Sequence, residues 1–417
     1  METGAVKHEA RAWFEANWDP ELALGDWWET LAASGWGFPA WPEEWFGRGL
    51  SGDAARSVSA ERARVGAFGP PSGIATFLAA PSIFAYGTEE QKRRFLPGIA
   101  MGQQVWCQLF SEPEAGSDMA SLRTRAVRDG DEWVVSGQKV WNSGAQFADR
   151  AILIARTDPD VPKHRGITFF LFDMRQAGVE VRPLREMTGD AAFNEVFLDE
   201  ARVAETDRLG ELNDGWRVAM TTLSHERDPN NSGLSQGGGT AFERPDLALS
   251  VAEYRRRQSK DMDAMSIALG GGIGEVFERI VARSRAAVEP ARRQQLMQLH
   301  QLRQASKFSG LRARDAVRAG QQPGPEVSTL KLLGAEIGRR TRDLGLQAMG
   351  AQGTLCGADA PEGGLFHKYA LFTPAGSIAG GSDEVNRNII GERVLGLPKE
   401  PDESKDRAFR DVRSSTS

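Results

Sequence analysis

The sequence of 417 residues has few of the side chains that build disulfide or metal sites. Its two cysteines, Cys107 and Cys356, are too few for a disulfide framework and stand in no metal-binding spacing. Its five histidines form neither an H-x-x-H nor an H-E-x-x-H pattern. We therefore expect two buried or partly buried thiols and no protein-bound metal.

Long apolar runs and an excess of positive charge are also missing. No apolar stretch approaches the ~20 residues that a membrane helix needs, and the N-terminal run METGAVKHEARAWFEANW has no apolar signal core. The net charge is −6 and the pI is about 5.6, whereas nucleic-acid binding requires a basic surface. These features predict a cytoplasmic protein without membrane insertion and without a nucleic-acid partner.

Two sequence patterns of common folds are absent. There is no internal repeat of 20–50 residues, and no G-x-G-x-x-G follows a predicted strand, which argues against a Rossmann dinucleotide site. The run Gly237-Gly238-Gly239 is better interpreted as a flexible loop than as a phosphate-binding loop.

The periodicity of apolar residues changes twice along the chain. Spacings of three or four residues at 22–32 and 91–96 predict helices. Asp129-Gly130 then separates two strand-like runs, which predicts a hairpin. Further strand-like runs follow without helical patterns between them, so we expect an antiparallel sheet or a small barrel. These runs are 151–155, 166–172, 179–181 and 194–198. The helical period returns after Asp214, a candidate N-cap.

This order predicts an α+β protein with three domains and a tail. The expected parts are an N-terminal α-helical domain at 1–106, a middle antiparallel β-sheet domain at 107–212, a C-terminal α-helical bundle at 213–398, and a disordered tail at 399–417.

Two segments carry a specific family resemblance. Leu109–Asp118 (LFSEPEAGSD) and Gly137–Ala145 (GQKVWNSGA) resemble the [TS]-E-P-x-A-G-S-D and G-x-K-x-W-[IT]-[TS] segments of acyl-CoA dehydrogenases. Supporting matches are QAMGAQG at 347–353 and GGSDEVNRNIIGERVLGLP at 380–398. The resemblance covers nearly the whole chain and implies the acyl-CoA dehydrogenase fold, with a four-helix bundle at the C-terminus. Within the family the chain resembles the actinobacterial branch that handles acyl chains and sterol side chains.

The resemblance implies an FAD enzyme of lipid degradation. Such an enzyme takes a hydride from the β-carbon of an acyl-CoA while a base removes the α-proton, and it releases the trans-2-enoyl-CoA. Electrons then pass to an electron-transfer flavoprotein. The assembly that the resemblance implies is a homodimer or homotetramer, or a heterotetramer with a related subunit.

The motif positions also imply roles for single residues toward FAD. Hydroxyl groups at strand ends suit the polar edge of the flavin, because hydrogen bonds there stabilise incoming charge. The family match places Phe110 and Ser111 along the pyrimidine edge of the flavin and Ser143 near its N5. It places Trp141 over the ring face, and Gly116 and Ser117 in a small-residue turn.

The contact with the ADP part of FAD is less complete in this sequence. Gln347 and Gly350 match a loop that contacts FAD bound mainly by a neighbouring subunit, although a helix C-cap at Gly350 explains the same residues. The family's Arg-x-x-Phe-Gly run, which grips the FAD pyrophosphate, has no clear match. The arginines that could replace it are Arg279, Arg283, Arg292 and Arg293.

The C-terminal turn lacks the glutamate that serves as catalytic base in familiar members of the family. The C-terminal turn SIAGGSDEVNRNII has Gly380 at the family's glutamate position. Asp383 and Glu384 are poor bases, because Ser382 is a candidate N-cap and the helix dipole would lower their pKa. By the family match, the Gly380 N–H instead holds the enolate oxygen.

A second family pattern has the base as Glu-Arg on the first C-terminal helix, and Glu226-Arg227 matches it. Apolar neighbours on this helix would raise the pKa of Glu226; they are Trp216, Val218, Met220 and Leu223. An ordinary exposed helix glutamate is the alternative. The Asn/Gly/Ser-rich segment 228–240 would either widen the acyl cavity for a bulky group or form a surface insertion.

Two other functions stay open: an FAD-deficient partner subunit, and a flavin oxidase or monooxygenase.

Overall fold

The computed structural model describes residues 3–226, 244–258, 273–284, 289–319, 321, 327–399, 401 and 405–412. Contacts divide the chain into two compact units. The first unit contains Met1–Glu186, Asp190–Arg255 and Asp402–Ser417, and the second contains Met187–Gly189 and Arg256–Pro401.

The first unit begins with helices, as the apolar period predicts. They are α1 (Thr3–Asn17), α2 (Leu24–Ser34), α3 (Gly52–Val65), α4 (Ala80–Tyr86) and α5 (Glu89–Ala100). Local sequence explains their ends: the Ser51 side chain accepts from the Ala54 N–H at the start of α3, and Thr88 and Gln91 form a capping box on α5. A π-helical turn at Ala75–Ala79 leads into α4.

An eight-stranded sheet follows the helices. Its strands are β1 (Trp106–Leu109), β2 (Arg125–Asp129), β3 (Glu132–Val140), β4 (Arg150–Arg156), β5 (Ile167–Asp173), β6 (Val179–Leu184), β7 (Phe193–Ala204) and β8 (Arg208–Leu209). Seven of them follow the order β6-β7-β3-β2-β4-β5-β8, and β1 pairs with β4. The predicted hairpin is confirmed, since Asp129 pairs with Glu132 in the antiparallel β2–β3 ladder around Gly130.

The sheet is mixed rather than purely antiparallel. β1 runs parallel to β4, with Cys107 opposite Ala151, and β2 continues along the same edge with Arg125 opposite Arg156. Loop 110–124 is therefore an excursion between two strands that lie end to end against β4. This geometry places the first family motif in a loop whose two ends are fixed by one neighbouring strand.

Two helices after the sheet also belong to the first unit. α6 (Gly215–Glu226) buries Val218, Ala219 and Thr222 completely, and the Thr222 Oγ1 lies 2.7 Å from the Ser82 Oγ of α4. α7, helical at 251–258, packs with the N-terminal helices. The boundary between the two units consequently falls after Arg255, and not at the predicted domain boundary at 212–213.

The second unit is helical. It contains α8 (Ile273–Arg283), α9 (Pro290–Arg318), α10 (Val327–Met349), α11 (Leu365–Phe372) and α12 (Asp383–Ile389). Its apolar core joins α8, α9, α10 and α11 through residues such as Phe277, Leu299, Leu344 and Phe366. None of the described helices in either unit is long and apolar enough to cross a membrane.

Residues 405–412 belong to the segment 399–417 for which a disordered tail is predicted, and they contact the loop after β4. Phe409 and Arg410 donate backbone hydrogen bonds to the carbonyl oxygens of Val161 and Pro159, at 2.9 and 3.0 Å. The Phe409 ring also lies over the Arg156 guanidinium group, a contact that the charged, Ser-rich composition of the segment did not indicate. Residues 402–404 and 413–417 lie outside the described part of the chain.

Candidate functional site

The two motif segments meet at the ends of β1 and β3. The Val140 N–H donates to the Ser111 carbonyl at 3.0 Å. The Asn142 Nδ2 donates to the Gln108 carbonyl at 2.7 Å. The structure thus brings Phe110 and Ser111 next to the turn that carries Trp141 and Ser143.

A buried ion pair fixes loop 110–124 to β3. The Lys139 Nζ lies 2.8 Å from the Glu112 Oε1 and 3.1 Å from the Phe110 carbonyl. Glu112 also accepts the backbone N–H groups of Arg123 and Thr124, at 2.6 and 3.0 Å. Because these partners lie at both ends of the loop, the pair closes the loop on itself and holds it against the sheet.

Glu112 serves as a structural carboxylate. Burial alone would raise its pKa, but the charge and hydrogen bond of Lys139 and the backbone N–H donor of Arg123 hold the pKa below its ordinary value. A carboxylate with a lowered pKa and three bound donors is a poor base. The pair was not predicted from the sequence. The feature that could have indicated it is an acid in one motif and a lysine in the other, each beside apolar strand residues.

Trp141 is held in an uncommon conformation. Its backbone φ is +64° and its side chain is 60% exposed, although it meets Phe193 edge to face at 5.8 Å. A non-glycine residue in the left-handed region costs free energy unless its neighbours fix it, and such residues concentrate at functional sites. An indole presented in this way offers a flat surface to another ring.

Two buried asparagines, Asn142 next to Trp141 and Asn194 on β7, stabilise this conformation. The Asn142 N–H donates to the Asn194 carbonyl at 3.1 Å, and the Asn194 Nδ2 donates to the Asn142 carbonyl at 2.9 Å. The Gly144 N–H adds a bond to the Ala192 carbonyl at 3.3 Å. The turn after Trp141 is thus tied to β7 and the residues before it. Asn142 stands where the family pattern has Ile or Thr, and Asn194 was not predicted.

The hydroxyl groups predicted at the site are free to bind another group. Within the described residues, neither the Ser111 nor the Ser143 hydroxyl has a hydrogen-bond partner. Gly116 and Ser117 are exposed, and no atom lies within 4 Å of the position that a Cβ of Gly116 would take. The loop therefore leaves open space where the sequence predicts close approach.

Glu226 is the last residue of α6, as predicted for the end of a helix. On this helix Val218 is fully buried, Trp216 and Leu223 pack against the core, and Met220 is exposed. The carboxyl group of Glu226 lies outside the described part of the chain, as does the segment 228–240.

The C-terminal turn belongs to the second unit. Gly380 is exposed with φ +66°, and its N–H has no acceptor within the described residues. The predicted N-cap is confirmed, since the Ser382 Oγ accepts the Val385 N–H at 3.3 Å. The Gly380 N–H can consequently donate to another molecule.

Asp383 anchors this turn. It lies 3.0 Å from both the Lys331 Nζ and an Arg339 Nη. Burial would raise its pKa, but hydrogen bonds from Lys331 and Arg339 hold the pKa below its ordinary value. Glu384 is exposed and pairs with Arg387 at 3.1 Å. The structure thus supports the expectation that Asp383 is a weak base.

The four candidate arginines of the second unit differ in their partners. Arg279 and Arg283 both pair with Glu362, at 3.1 and 2.5 Å. Arg292 donates to the Gln347 carbonyl at 2.9 Å, which places it beside the predicted ADP-contact loop. The Arg293 guanidinium has no ion-pair partner within the described residues. Gly350 follows α10 directly with φ +58°, the conformation of a helix C-cap.

Comparison with known proteins agrees with this architecture. The family models for the acyl-CoA dehydrogenase N-terminal, middle and C-terminal domains match residues 3–103, 107–201 and 264–395. The acyl-CoA dehydrogenase IpdE1 of Mycobacterium tuberculosis is 37% identical over 382 residues, which cover 90% of this chain and 88% of that protein. The chain belongs to the acyl-CoA dehydrogenase family. The predicted family and fold class are therefore confirmed.

Other relatives of this acyl-CoA dehydrogenase are similar over different lengths. Acyl-CoA dehydrogenase FadE34 of M. tuberculosis is 37% identical over 374 residues, which are 89% of this chain but 46% of that protein. Among solved structures, the Tcur3481-Tcur3483 steroid ACAD has a TM-score of 0.69 and 26% identity, and covers 95% of this chain and 98% of its own. The ChsE4-ChsE5 complex from M. tuberculosis has a TM-score of 0.68 and 29% identity, with 96% and 98% covered.

Membership of the family makes the protein an oxidoreductase that acts on acyl-CoA. The family is FAD-dependent, and the residues of the first unit fit such a cofactor. The Trp141 ring is exposed, the Ser111 and Ser143 hydroxyls are free within the described residues, and space remains open beside Gly116. These groups suit a planar ring with hydrogen-bonding edges.

Replacing Asn194 by alanine is expected to loosen the turn that carries Trp141. The change removes the donor to the buried Asn142 carbonyl, and an unsatisfied buried polar group costs about 1–3 kcal/mol. Urea denaturation should show this loss of unfolding free energy. The near-UV circular dichroism signal of Trp141, obtained by subtracting the spectrum of a Trp141→Phe variant, should also weaken.

Gln138→Ala is the matched control, because Gln138 lies on β3 and bonds Glu195 of β7 at a partly buried position. We expect it to change the unfolding free energy by about 0.5 kcal/mol or less. Equal effects of the two substitutions on stability and on the Trp141 signal would contradict the role of Asn194.

Proposed function

We propose that this protein is an FAD-dependent acyl-CoA dehydrogenase that converts an acyl-CoA thioester to the trans-2-enoyl-CoA. The observation that carries the proposal is the junction of the two motifs, where Lys139 and Glu112 fix loop 110–124 beside the exposed Trp141 ring. Bound FAD supplies the hydride acceptor, at N5, for the β-hydrogen of the substrate.

The proposed roles at the cofactor follow from the free groups of the first unit. Ser111 and Ser143 would donate hydrogen bonds to the flavin edge, and Trp141 would cover the ring face away from the substrate. Phe110 would lie along the same edge as Ser111. The exposed Gly116-Ser117 turn would allow the backbone to approach the cofactor or the thioester chain closely.

Glu226 is the proposed base that takes the α-proton. Its helix is fixed by buried contacts, including Thr222 with Ser82, so the end of α6 has a defined position in the first unit. Asp383 is unsuitable because its pKa is lowered by two cationic partners. The proton that leaves the α-carbon would be held on the Glu226 carboxylate.

The second unit carries further groups to which we assign binding roles. The Gly380 N–H would hold the thioester oxygen as charge develops on it, because this donor is exposed and without an acceptor among the described residues. Gln347 and Gly350 would contact the ADP part of FAD. Arg292 is the arginine that we favour beside them, because it donates to the Gln347 carbonyl and its ion-pair partner, Glu289, is exposed. Arg279 and Arg283 instead share the partly buried Glu362 as a counter-charge.

The proposed substrate is an acyl-CoA with a bulky or sterol-side-chain acyl group. The support is the similarity to a structure named a steroid ACAD, at 26% identity over 95% of this chain. The proposed electron acceptor is an electron-transfer flavoprotein. We propose an oligomer, either of this chain alone or with a related subunit as in the ChsE4-ChsE5 complex.

Anaerobic titration of the purified protein with acyl-CoA thioesters tests the proposed function. We expect a steroid-side-chain CoA to bleach the flavin at a lower concentration than a straight-chain fatty acyl-CoA does. Preferential bleaching by the straight chain would contradict the substrate class. Purified protein without flavin absorbance would favour an FAD-deficient partner subunit, and rapid formation of peroxide in air would favour an oxidase.

A further inference from the structure

The C-terminal segment 405–412 contacts the β-sheet through one aromatic ring. The guanidinium carbon of Arg156 lies 3.8 Å from the centre of the Phe409 ring, within the range of a cation–π interaction. The Arg410 side chain forms an ion pair with Asp160, and two backbone hydrogen bonds join the segment to residues 159–161. The segment lies beyond the C-terminal family model, which ends at residue 395.

Arg156 connects this segment to the loop that carries the first motif. It is 4% exposed, and its Nη2 donates to the Ala120 carbonyl at 2.6 Å and to the Leu122 carbonyl at 3.4 Å. Its Nη1 donates to the Lys163 carbonyl at 2.5 Å. One face of the guanidinium group therefore meets Phe409, while its N–H groups hold the last third of loop 110–124.

The same region also holds the acidic end of the motif. The Lys163 Nζ lies 2.7 Å from the Asp118 Oδ2, and the Ser121 Oγ donates to the same oxygen at 2.5 Å. Asp118 follows Gly116 and Ser117 directly in the sequence. The loop is consequently held by Glu112 within the loop itself, by Arg156 at the end of β4 and by Lys163 after β4.

We propose that residues 405–412 form a strap that stabilises loop 110–124, and that Phe409 is a positioning residue that acts through Arg156. The strap covers the guanidinium group and keeps its N–H groups on the loop carbonyls. Its effect on cofactor binding rests on the proposed function, because Ser111, Gly116 and Ser117 lie on the loop that it stabilises.

Hydrogen exchange of the purified, full-length protein tests the strap directly. In Phe409→Ala we expect the Arg123 and Thr124 amides, which donate to Glu112, to exchange roughly three- to tenfold faster, a range that a lost cation–π contact allows. Phe409→Tyr should keep the ring face and therefore the slow exchange. Phe409→Leu should keep the apolar bulk, but its amides should exchange as fast as those of Phe409→Ala. The dissociation constant of FAD, measured by flavin fluorescence, should rise by a similar factor in the alanine and leucine variants.

Asp406→Ala is the control, because Asp406 is an exposed residue of the same segment. Exchange of the Arg123 and Thr124 amides that is the same in Phe409→Ala as in this control would overturn the strap. Slow exchange retained by Phe409→Leu would overturn the part that assigns the effect to the ring. If the wild-type protein binds no FAD, the proposed function fails, while the exchange measurement still decides whether the strap exists.

Discussion

Replacing Glu226 by glutamine is expected to lower the rate of substrate-dependent flavin reduction by about 10²- to 10⁴-fold, the contribution that a positioned general base makes. Glutamine preserves the size and polarity of the side chain but cannot accept the α-proton. The variant should therefore retain its yellow colour, its fold and its binding of acyl-CoA. Rapid mixing of the protein with acyl-CoA under anaerobic conditions measures the rate.

Glu384→Gln is the matched control for this experiment. Glu384 is an exposed carboxylate in the first turn of α12, near the position where familiar relatives have their base, and it pairs with Arg387. We expect this variant to reduce its flavin at close to the wild-type rate. Near-normal reduction by Glu226→Gln, together with a large loss in Glu384→Gln, would move the base to the C-terminal turn.

Apolar periodicity predicted most of the secondary structure but not the whole pairing of the sheet. The Asp129-Gly130 turn fixes a hairpin locally, so its prediction needed only neighbouring residues. The parallel pairing of Trp106–Leu109 with β4 joins residues more than forty positions apart. No local pattern encodes such a pairing, because it depends on how loop 110–124 folds away from the sheet edge.

The motifs pointed to the candidate residues that carry the proposed roles, and they missed residues whose positions depend on burial in the folded sheet. Trp141 and Ser143 stand at motif positions and were identified from sequence. The roles of Lys139 and Asn194 depend on partners that only the folded sheet brings near. For Asp383 the expected lowering of the pKa is present, but its causes are hydrogen bonds from Lys331 and Arg339 and the charge of Lys331, which the sequence did not indicate. The contact of Phe409 with Arg156 was likewise not evident from the sequence, because the composition of residues 399–417 is charged and Ser-rich.

Replacing Lys139 by methionine is expected to destabilise the protein by about 3–5 kcal/mol at neutral pH. The change keeps most of the length of the side chain but leaves the Glu112 carboxylate buried without its cation. Breaking a buried pair in this way is strongly destabilising. Arg156 also attracts Glu112 electrostatically, so a value near the lower end of the range is expected. Urea denaturation monitored by tryptophan fluorescence measures the loss.

The control for this substitution is Lys163→Met, which breaks a more exposed ion pair with Asp118. We expect it to cost about 1 kcal/mol or less, as is usual for pairs with a solvated partner. A loss in Lys139→Met no larger than this would show that the buried pair contributes little to stability.

The pH dependence provides an independent check on the same pair. In the wild type the pKa of Glu112 is lowered on folding, so the charged pair stabilises the protein above the unfolded-state pKa of about 4.3 and loses this contribution as the pH falls through the folded-state value. In Lys139→Met the lone carboxylate can relieve its burial by binding a proton, so acid should harm this variant less than the wild type. The difference in unfolding free energy between the two proteins should therefore shrink from pH 7 toward pH 4. A difference that stays constant over this range would mean that Lys139 stabilises the loop by its packing and its bond to the Phe110 carbonyl, and not by its charge.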